Sequence, residues 1–120
     1  MIKLIKKVLG VVAASALVVG GLAGCATTSS EGGLIGVSMP TQSSTRWISD
    51  GENIKSTLEA AGYEVDLQYA EDDIPTQVTQ LEGMLTKGAK ALIIAAIDGT
   101  QSTDVLQAAK DANVPVISYD

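Results

Sequence analysis

The stretch Ala91 to Ile97, ALIIAAI, runs seven residues without one polar side chain, and no other feature narrows the fold as much. A strand with one face in water alternates apolar and polar residues. One that is apolar throughout is covered on both faces, as an inner strand of a parallel sheet is. The neighbouring segments read consistently with that. Leu34 to Met39, LIGVSM, is a second short apolar run. Trp47, Gly51, Ile54, Leu58 and Ala61 then recur every three or four residues, one stripe of an amphipathic helix that Gly62 should stop. Glu64 to Tyr69 alternates, with Val65, Leu67 and Tyr69 on one side, and predicts a half-buried edge strand. Asp72 and Asp73 offer an N-cap ahead of Pro75. Ile74, Val78, Leu81 and Leu85 form a second stripe, closed by Gly88. Gln101 to Ala112 predicts a third helix with Val105, Leu106 and Ala109 inward, and Val114 to Tyr119, VPVISY, a fourth strand.

Strands alternating with helices of this length predict an α/β domain built on a doubly wound parallel sheet with right-handed crossovers. The fourth strand is followed at once by Asp120. Such sheets usually hold about five or six strands, so the sequence reads as truncated after the fourth. In a sheet of order 2-1-3-4, ligands sit outside the carboxyl ends of strands one and three, where the strand order reverses. The loop after strand one is Pro40 to Arg46, PTQSSTR, and the loop after strand three is Asp98-Gly99-Thr100. Topology therefore directs Arg46, Trp47 and Asp98 to one mouth. A guanidinium offers a fork of donors, a carboxylate accepts at two oxygens, and an indole gives a flat apolar platform with one N–H. Together they suit a sugar, whose hydroxyls donate and accept around an apolar face. Each residue also has a plainer reading: Arg46 as a solvated residue at a helix start, Trp47 as core, and Asp98 as a turn or cap residue.

The first 24 residues stand apart from this pattern. Lys3, Lys6 and Lys7 precede an apolar run from Val8 to Gly21, which then meets Leu22-Ala23-Gly24-Cys25. That order is a secretory signal peptide, and the run is short of the roughly 20 residues that span a bilayer. Leu-Ala-Gly-Cys resembles a bacterial lipobox, which implies cleavage before Cys25 and a lipid on its sulfur. Ala26 to Gly33, ATTSSEGG, follows as a flexible tether. The expected organisation is thus a leader at 1–24, a lipidated cysteine and tether at 25–33, and a partial binding lobe at 34–120.

Charge and composition then exclude other roles. Three of the eight basic residues lie in the leader and none of the 14 acidic ones does, which leaves five basic residues against 14 acidic, net −9. Such a surface repels nucleic acid, whose binding needs Lys and Arg on the phosphates. The chain has no histidine and one cysteine, and the lipid would take that cysteine. No general acid–base pair, metal set or phosphate-binding glycine fingerprint is legible, so an enzyme, a metal site and a cofactor are not expected.

Three stretches carry a family resemblance: GLIGVSMPTQSSTRWISDGENI, AEDDIPTQVTQLEGMLTKGAKALIIAAIDGT and VPVISYD. In this order they resemble the monosaccharide-binding proteins of ABC importers, in the multiple-sugar and xylose branch of the ribose/galactose type. The resemblance covers Leu34 to Asp120. It implies the N-terminal lobe of a two-lobe, type I periplasmic-binding-protein fold that closes on one sugar and delivers it to a membrane permease. It implies Arg46, Trp47 and Asp98 as sugar contacts; an arginine that usually follows the strand at Tyr119-Asp120 has no counterpart here. A transcription regulator shares this fold, but would carry a DNA-binding head where this chain has its leader. A sugar receptor that serves a membrane sensor or chemoreceptor is the other expectation in keeping with the sequence. Both readings put the protein outside the cytoplasm, held to the membrane through Cys25.

Overall fold

The computed structural model describes residues 31–119. The leader, Cys25, most of the tether and Asp120 lie outside the described residues. The elements run β1 (Leu34–Met39), α1 (Thr45–Ala60), β2 (Glu64–Tyr69), α2 (Ile74–Thr86), β3 (Ala91–Ile94), α3 (Thr103–Asp111) and β4 (Val116–Ser118). All three strand pairings are parallel and the order is β2-β1-β3-β4. This is the α/β doubly wound arrangement that the alternation predicts, with β2 at one edge.

Two apolar layers sandwich the sheet. Trp47, Ile54 and Leu58 of α1 pack on Ile35, Val37 and Met39 of β1. On the opposite face Leu81 and Met84 of α2 join Val105 and Ala109 of α3 over Leu92 and Ile94 of β3. Leu81, Met84 and Leu92 are fully buried, each stabilising the fold by roughly 1.5–3 kcal/mol. Close approach needs missing side chains. A Cβ on Gly36 would stand 2.6 Å from Met84 Sδ and 2.8 Å from Leu92 Cδ2, so this β1 position must be bare for α2 to seat.

The three helices among the described residues end in the same way. The residue after the C-cap turns left-handed, at Gly62, Gly88 and Asn113. Its N–H reaches back three residues, and the next N–H closes the longer bond, Tyr63 to Leu58, Ala89 to Met84 and Val114 to Ala109. This is a Schellman stop. The Gly62 and Gly88 stops follow the sequence reading; Asn113, a residue that tolerates this backbone, serves the third.

Some boundaries differ from expectation for identifiable reasons. β3 stops at Ile94, not Ile97, because the Ala95 carbonyl and the Ile97 N–H turn to a side chain. β4 starts at Val116, not Val114, after Pro115, which has no N–H to give a ladder. α3 is shorter than predicted, and Leu106, expected inward, is 37% exposed while Val105 and Ala109 are buried. Leu106 and Val114 line an open groove with Lys110, Asn113, Pro115 and Val116. Two glycines at the end of the expected tether already hydrogen-bond to the domain, the Gly32 N–H to Gly62 and the Gly33 carbonyl to Glu64.

Two glycine substitutions should move stability in opposite directions. Gly36→Ala forces a methyl into the buried Met84–Leu92 contact and is expected to cost about 1–3 kcal/mol. Gly83→Ala, in a helix with open space around its Cβ, should gain roughly 0.5–1 kcal/mol. Urea unfolding midpoints check both; equal shifts of one sign would contradict this packing.

Candidate functional site

The carboxyl end of β1 runs into a turn built by its own side chains. Thr41 is buried, and its Oγ1 accepts from the Ser43 N–H at 3.0 Å and donates to Ser43 Oγ at 3.0 Å. That turn delivers the chain to Ser44, the N-cap of α1, which has extended dihedrals and makes no side-chain cap bond. Arg46 and Trp47 therefore stand in the first turn of α1, not in the preceding loop. The Arg46 guanidinium lies 4.4 Å from the Trp47 ring centroid, within cation–π range. Its Nε meets Asp50 Oδ2 at 3.4 Å. The Arg46 side chain is 53% exposed, so this pair adds little stability. Its effect is orientation: a cation at a helix N-terminus opposes the dipole, and Asp50, one turn on, holds it in place. Trp47 is half-buried on the β1 cluster. It is thus partly core, as its spacing suggests, and also a seat for Arg46.

Asp98 stands on the loop between β3 and α3. Its Oδ1 accepts from the Thr100 N–H at 2.8 Å and from Thr100 Oγ1 at 2.7 Å, and its own carbonyl accepts from the Gln101 N–H at 3.2 Å. The two Thr100 bonds hold its carboxyl below the usual carboxylate range. Asp98 is therefore a turn residue. A carboxylate has about four acceptor positions, so a turn role leaves room for further bonds. The strands that carry these loops are neighbours, Ser38 opposite Ile94, and the Ala95 N–H continues to the Ser38 carbonyl. Arg46 and Trp47 come together directly. Asp98 leaves from the adjacent strand end, and among the described residues no ion pair or hydrogen bond joins it to Arg46.

The sequence reading missed Gln77. It assigns the inward stripe of α2 to Ile74, Val78, Leu81 and Leu85, yet the buried residues are Gln77, Leu81 and Met84. Gln77 is 2% exposed. Its Nε2 donates to Ser38 Oγ and to the Ala95 carbonyl, both at 3.0 Å, and its Oε1 accepts from the Ile97 N–H at 3.0 Å. The signal was there: Gln77 is four residues before Leu81, on a core-facing line. Among the described residues no three His, Cys, Asp or Glu side chains stand together as a metal site.

A family model described as a periplasmic binding protein domain matches residues 35–120. This chain belongs to that family. The α/β lobe described above matches the N-terminal part of that family's structures. Over 88 residues the chain is 60% identical to the multiple sugar-binding periplasmic receptor ChvE of Rhizobium radiobacter, covering 73% of this chain and 25% of that one. It is also 60% identical over 86 residues to the multiple sugar-binding periplasmic protein SbpA of Azospirillum brasilense, covering 72% and 24%. An ABC transporter solute binding protein of Clostridium phytofermentans, solved with bound β-D-glucose, superposes with a TM-score of 0.72 at 50% identity, covering 72% of this chain and 27% of that one. The chain spans about a quarter of the length of the curated relatives it matches.

The Asp98 turn gives a direct test. Replacing Thr100 by Val removes the hydroxyl donor and keeps the N–H, so the Asp98 carboxyl should titrate at higher pH. A lowered carboxyl pKa contributes stability that is present above the ordinary range and lost as pH falls through the folded value. In Thr100→Val that contribution should be smaller and its loss complete at higher pH, the onset being set by the unfolded carboxyl. A carbon-13 NMR titration of the Asp98 carboxyl checks the direction; an unchanged midpoint would mean that the hydroxyl does not hold it.

Proposed function

We propose that the whole protein is an extracytoplasmic binding protein that captures a monosaccharide and delivers it to the permease of an ABC importer. The observation that carries this reading is the 60% identity to two periplasmic proteins named for binding multiple sugars, over most of this chain. The placement of the polar groups supports it. Arg46, in the first turn of the helix after β1, and Asp98, on the loop after β3, follow neighbouring strands at the point where strand order reverses, the usual ligand position in such sheets. One presents donors and the other acceptors, and a neutral polyol needs both. On this reading Arg46, Trp47 and Asp98 supply one wall of the cleft, and the rest of the protein supplies the other. Closure of two walls buries most of a small ligand. The protein binds and releases; it does not turn over a substrate, and it needs no cofactor.

The anchor belongs to the same reading. Cleavage before Cys25 and acylation of its sulfur would keep the binding domain at the membrane, within reach of its permease. More than one acyl chain gives stable attachment, at about 0.8 kcal/mol per buried methylene. Residues 25–33 then act as lipidated cysteine and tether, its last two glycines already bonded to the lobe, and residues 34–120 as part of the N-terminal lobe.

Calorimetric titration of the whole protein with D-glucose, D-galactose, D-xylose and L-arabinose tests the binding reading. Asp98→Ala is expected to lose about 2–4 kcal/mol, the cost of orphaning buried hydroxyls, or roughly thirty- to a thousandfold in affinity. Asp98→Asn keeps shape and removes charge. If folded Asp98→Asn binds within about twofold of wild type, Asp98 is only a turn residue and leaves the proposed site.

The anchor has its own test. Cys25→Ala should move the protein from the membrane fraction to the soluble one. Mass spectrometry of the membrane-bound wild type should show residues 1–24 removed and Cys25 acylated; an intact Met1 or an unmodified Cys25 would overturn the lipoprotein reading.

A further inference from the structure

We infer that Gln77 is the positioning residue of the proposed sugar site, setting the Asp98 loop from inside the core. This rests on the reading of Asp98 as a ligand contact given above. Gln77 belongs to α2 and to neither loop of the mouth, and it is 2% exposed. A bound sugar at the strand ends would meet Asp98 before it could meet this side chain.

The bond pattern identifies what Gln77 controls. Both N–H groups of its amide and its oxygen are engaged. One N–H goes to Ser38, at the carboxyl end of β1. The other N–H and the oxygen grip Ala95 and Ile97, the two residues that flank Ala96 just after β3 ends. A strand leaving a sheet normally loses its backbone partners, and unpaired buried backbone groups are costly. Here a primary amide supplies an acceptor and a donor at the spacing of one peptide, so the chain can leave the ladder at a fixed angle. Ile97 directly precedes Asp98. The Thr100 bonds fix the Asp98 carboxylate within its turn; Gln77 fixes that turn relative to β1, the strand that leads to Arg46 and Trp47. The two loops of that wall therefore share one buried ruler.

Only an amide of this length does the work. Methionine matches its length and apolar stem but provides neither donor nor acceptor for Ala95 and Ile97. Leu81, one helical turn along α2 and fully buried in the same core, serves as a control for lost packing alone.

The test uses the whole protein and the tightest-binding sugar among D-glucose, D-galactose, D-xylose and L-arabinose. Calorimetry on wild type, Gln77→Met, Leu81→Ala and Asp98→Asn is paired with hydrogen exchange at the Ile97 and Thr100 amides. Gln77→Met is expected to weaken sugar binding at least tenfold and to speed exchange at Ile97 and Thr100. Leu81→Ala should lower the melting temperature yet keep affinity within about threefold. If Gln77→Met fails to fold, Gln77→Glu, which keeps the shape and an acceptor but not the two donors, is read by the same criteria. A folded Gln77 variant within threefold of wild type, while Asp98→Asn loses binding, overturns the positioning role and leaves the site reading standing. Wild-type affinity in Asp98→Asn overturns the site reading, and this inference with it.

Discussion

One buried amide, on Gln77, reconciles two demands that parallel sheets place on their strand ends. A strand must stop for its loop to reach a ligand, and yet its last carbonyls and amides cannot be left dry and unpaired. In this domain β3 stops three residues before its apolar run does, and the backbone groups released there are taken up by a side chain from α2. The cost of burying a glutamine is offset because every hydrogen-bonding group of its amide is used. The same residue bonds Ser38, which is itself fully buried on β1. Both strand ends are thus referenced to one helix, and the loops they launch inherit that reference.

The loops after β1 and β3 part because the helices depart to opposite faces. α1 packs over β1 and β2 on one side, while α2 and α3 pack together on the other. The chain leaving β1 and the chain leaving β3 diverge as a result, each towards the face that its helix covers. Small residues make the packing tight enough to hold this. Gly36 lets Met84 sit directly on β1, and Gly51 lets α1 close onto Leu67 and Tyr69 of β2. Tyr69 then reaches across to the Ile48 carbonyl of α1 with its hydroxyl at 3.5 Å. The β2 end is also laced to the β1 loop, by the Ala70 N–H to Met39 and the Asp72 N–H to Pro40. Glu71 and Asp72 both adopt left-handed backbone there, a strained pair that these bonds help to hold.

Fold class was fully legible because it depends on periodicity. The ALIIAAI run, the two helical stripes and the glycine stops reach a parallel α/β sheet without any side-chain geometry. Asp73 as N-cap of α2 was legible for the same reason, since capping follows residue type; its carboxylate accepts from the Thr76 N–H and hydroxyl. What the pattern could not reach were polar residues acting as core. Gln77 falls on an apolar line and reads as an interruption, although its partners, a serine and two backbone groups, come from segments far away in sequence. The early stop of β3 has the same origin: nothing in ALIIAAI says that Ala95 and Ile97 will exchange a ladder partner for a side chain. Leu106 failed for the opposite reason. Apolar character alone placed it inward, while α3 turns Val105 and Ala109 to the core.

The candidate site residues share a property that bears on how one wall of a cleft could recognise a neutral ligand. Arg46 is already held by a ring and a carboxylate, and Asp98 by a threonine. Each charge thus has a local partner before any ligand arrives. Binding costs rise with every side chain that must be ordered, and groups fixed in advance avoid much of that cost. Each partner also sets a direction for the group that it holds. Recognition of a polyol requires directional hydrogen bonds more than net charge, and on the proposed reading this is the reason that a chain with such an acidic surface can offer an uncharged sugar a balanced wall. The ordering of that wall then traces back to α2, where a single side chain decides at what angle the second of its loops leaves the sheet.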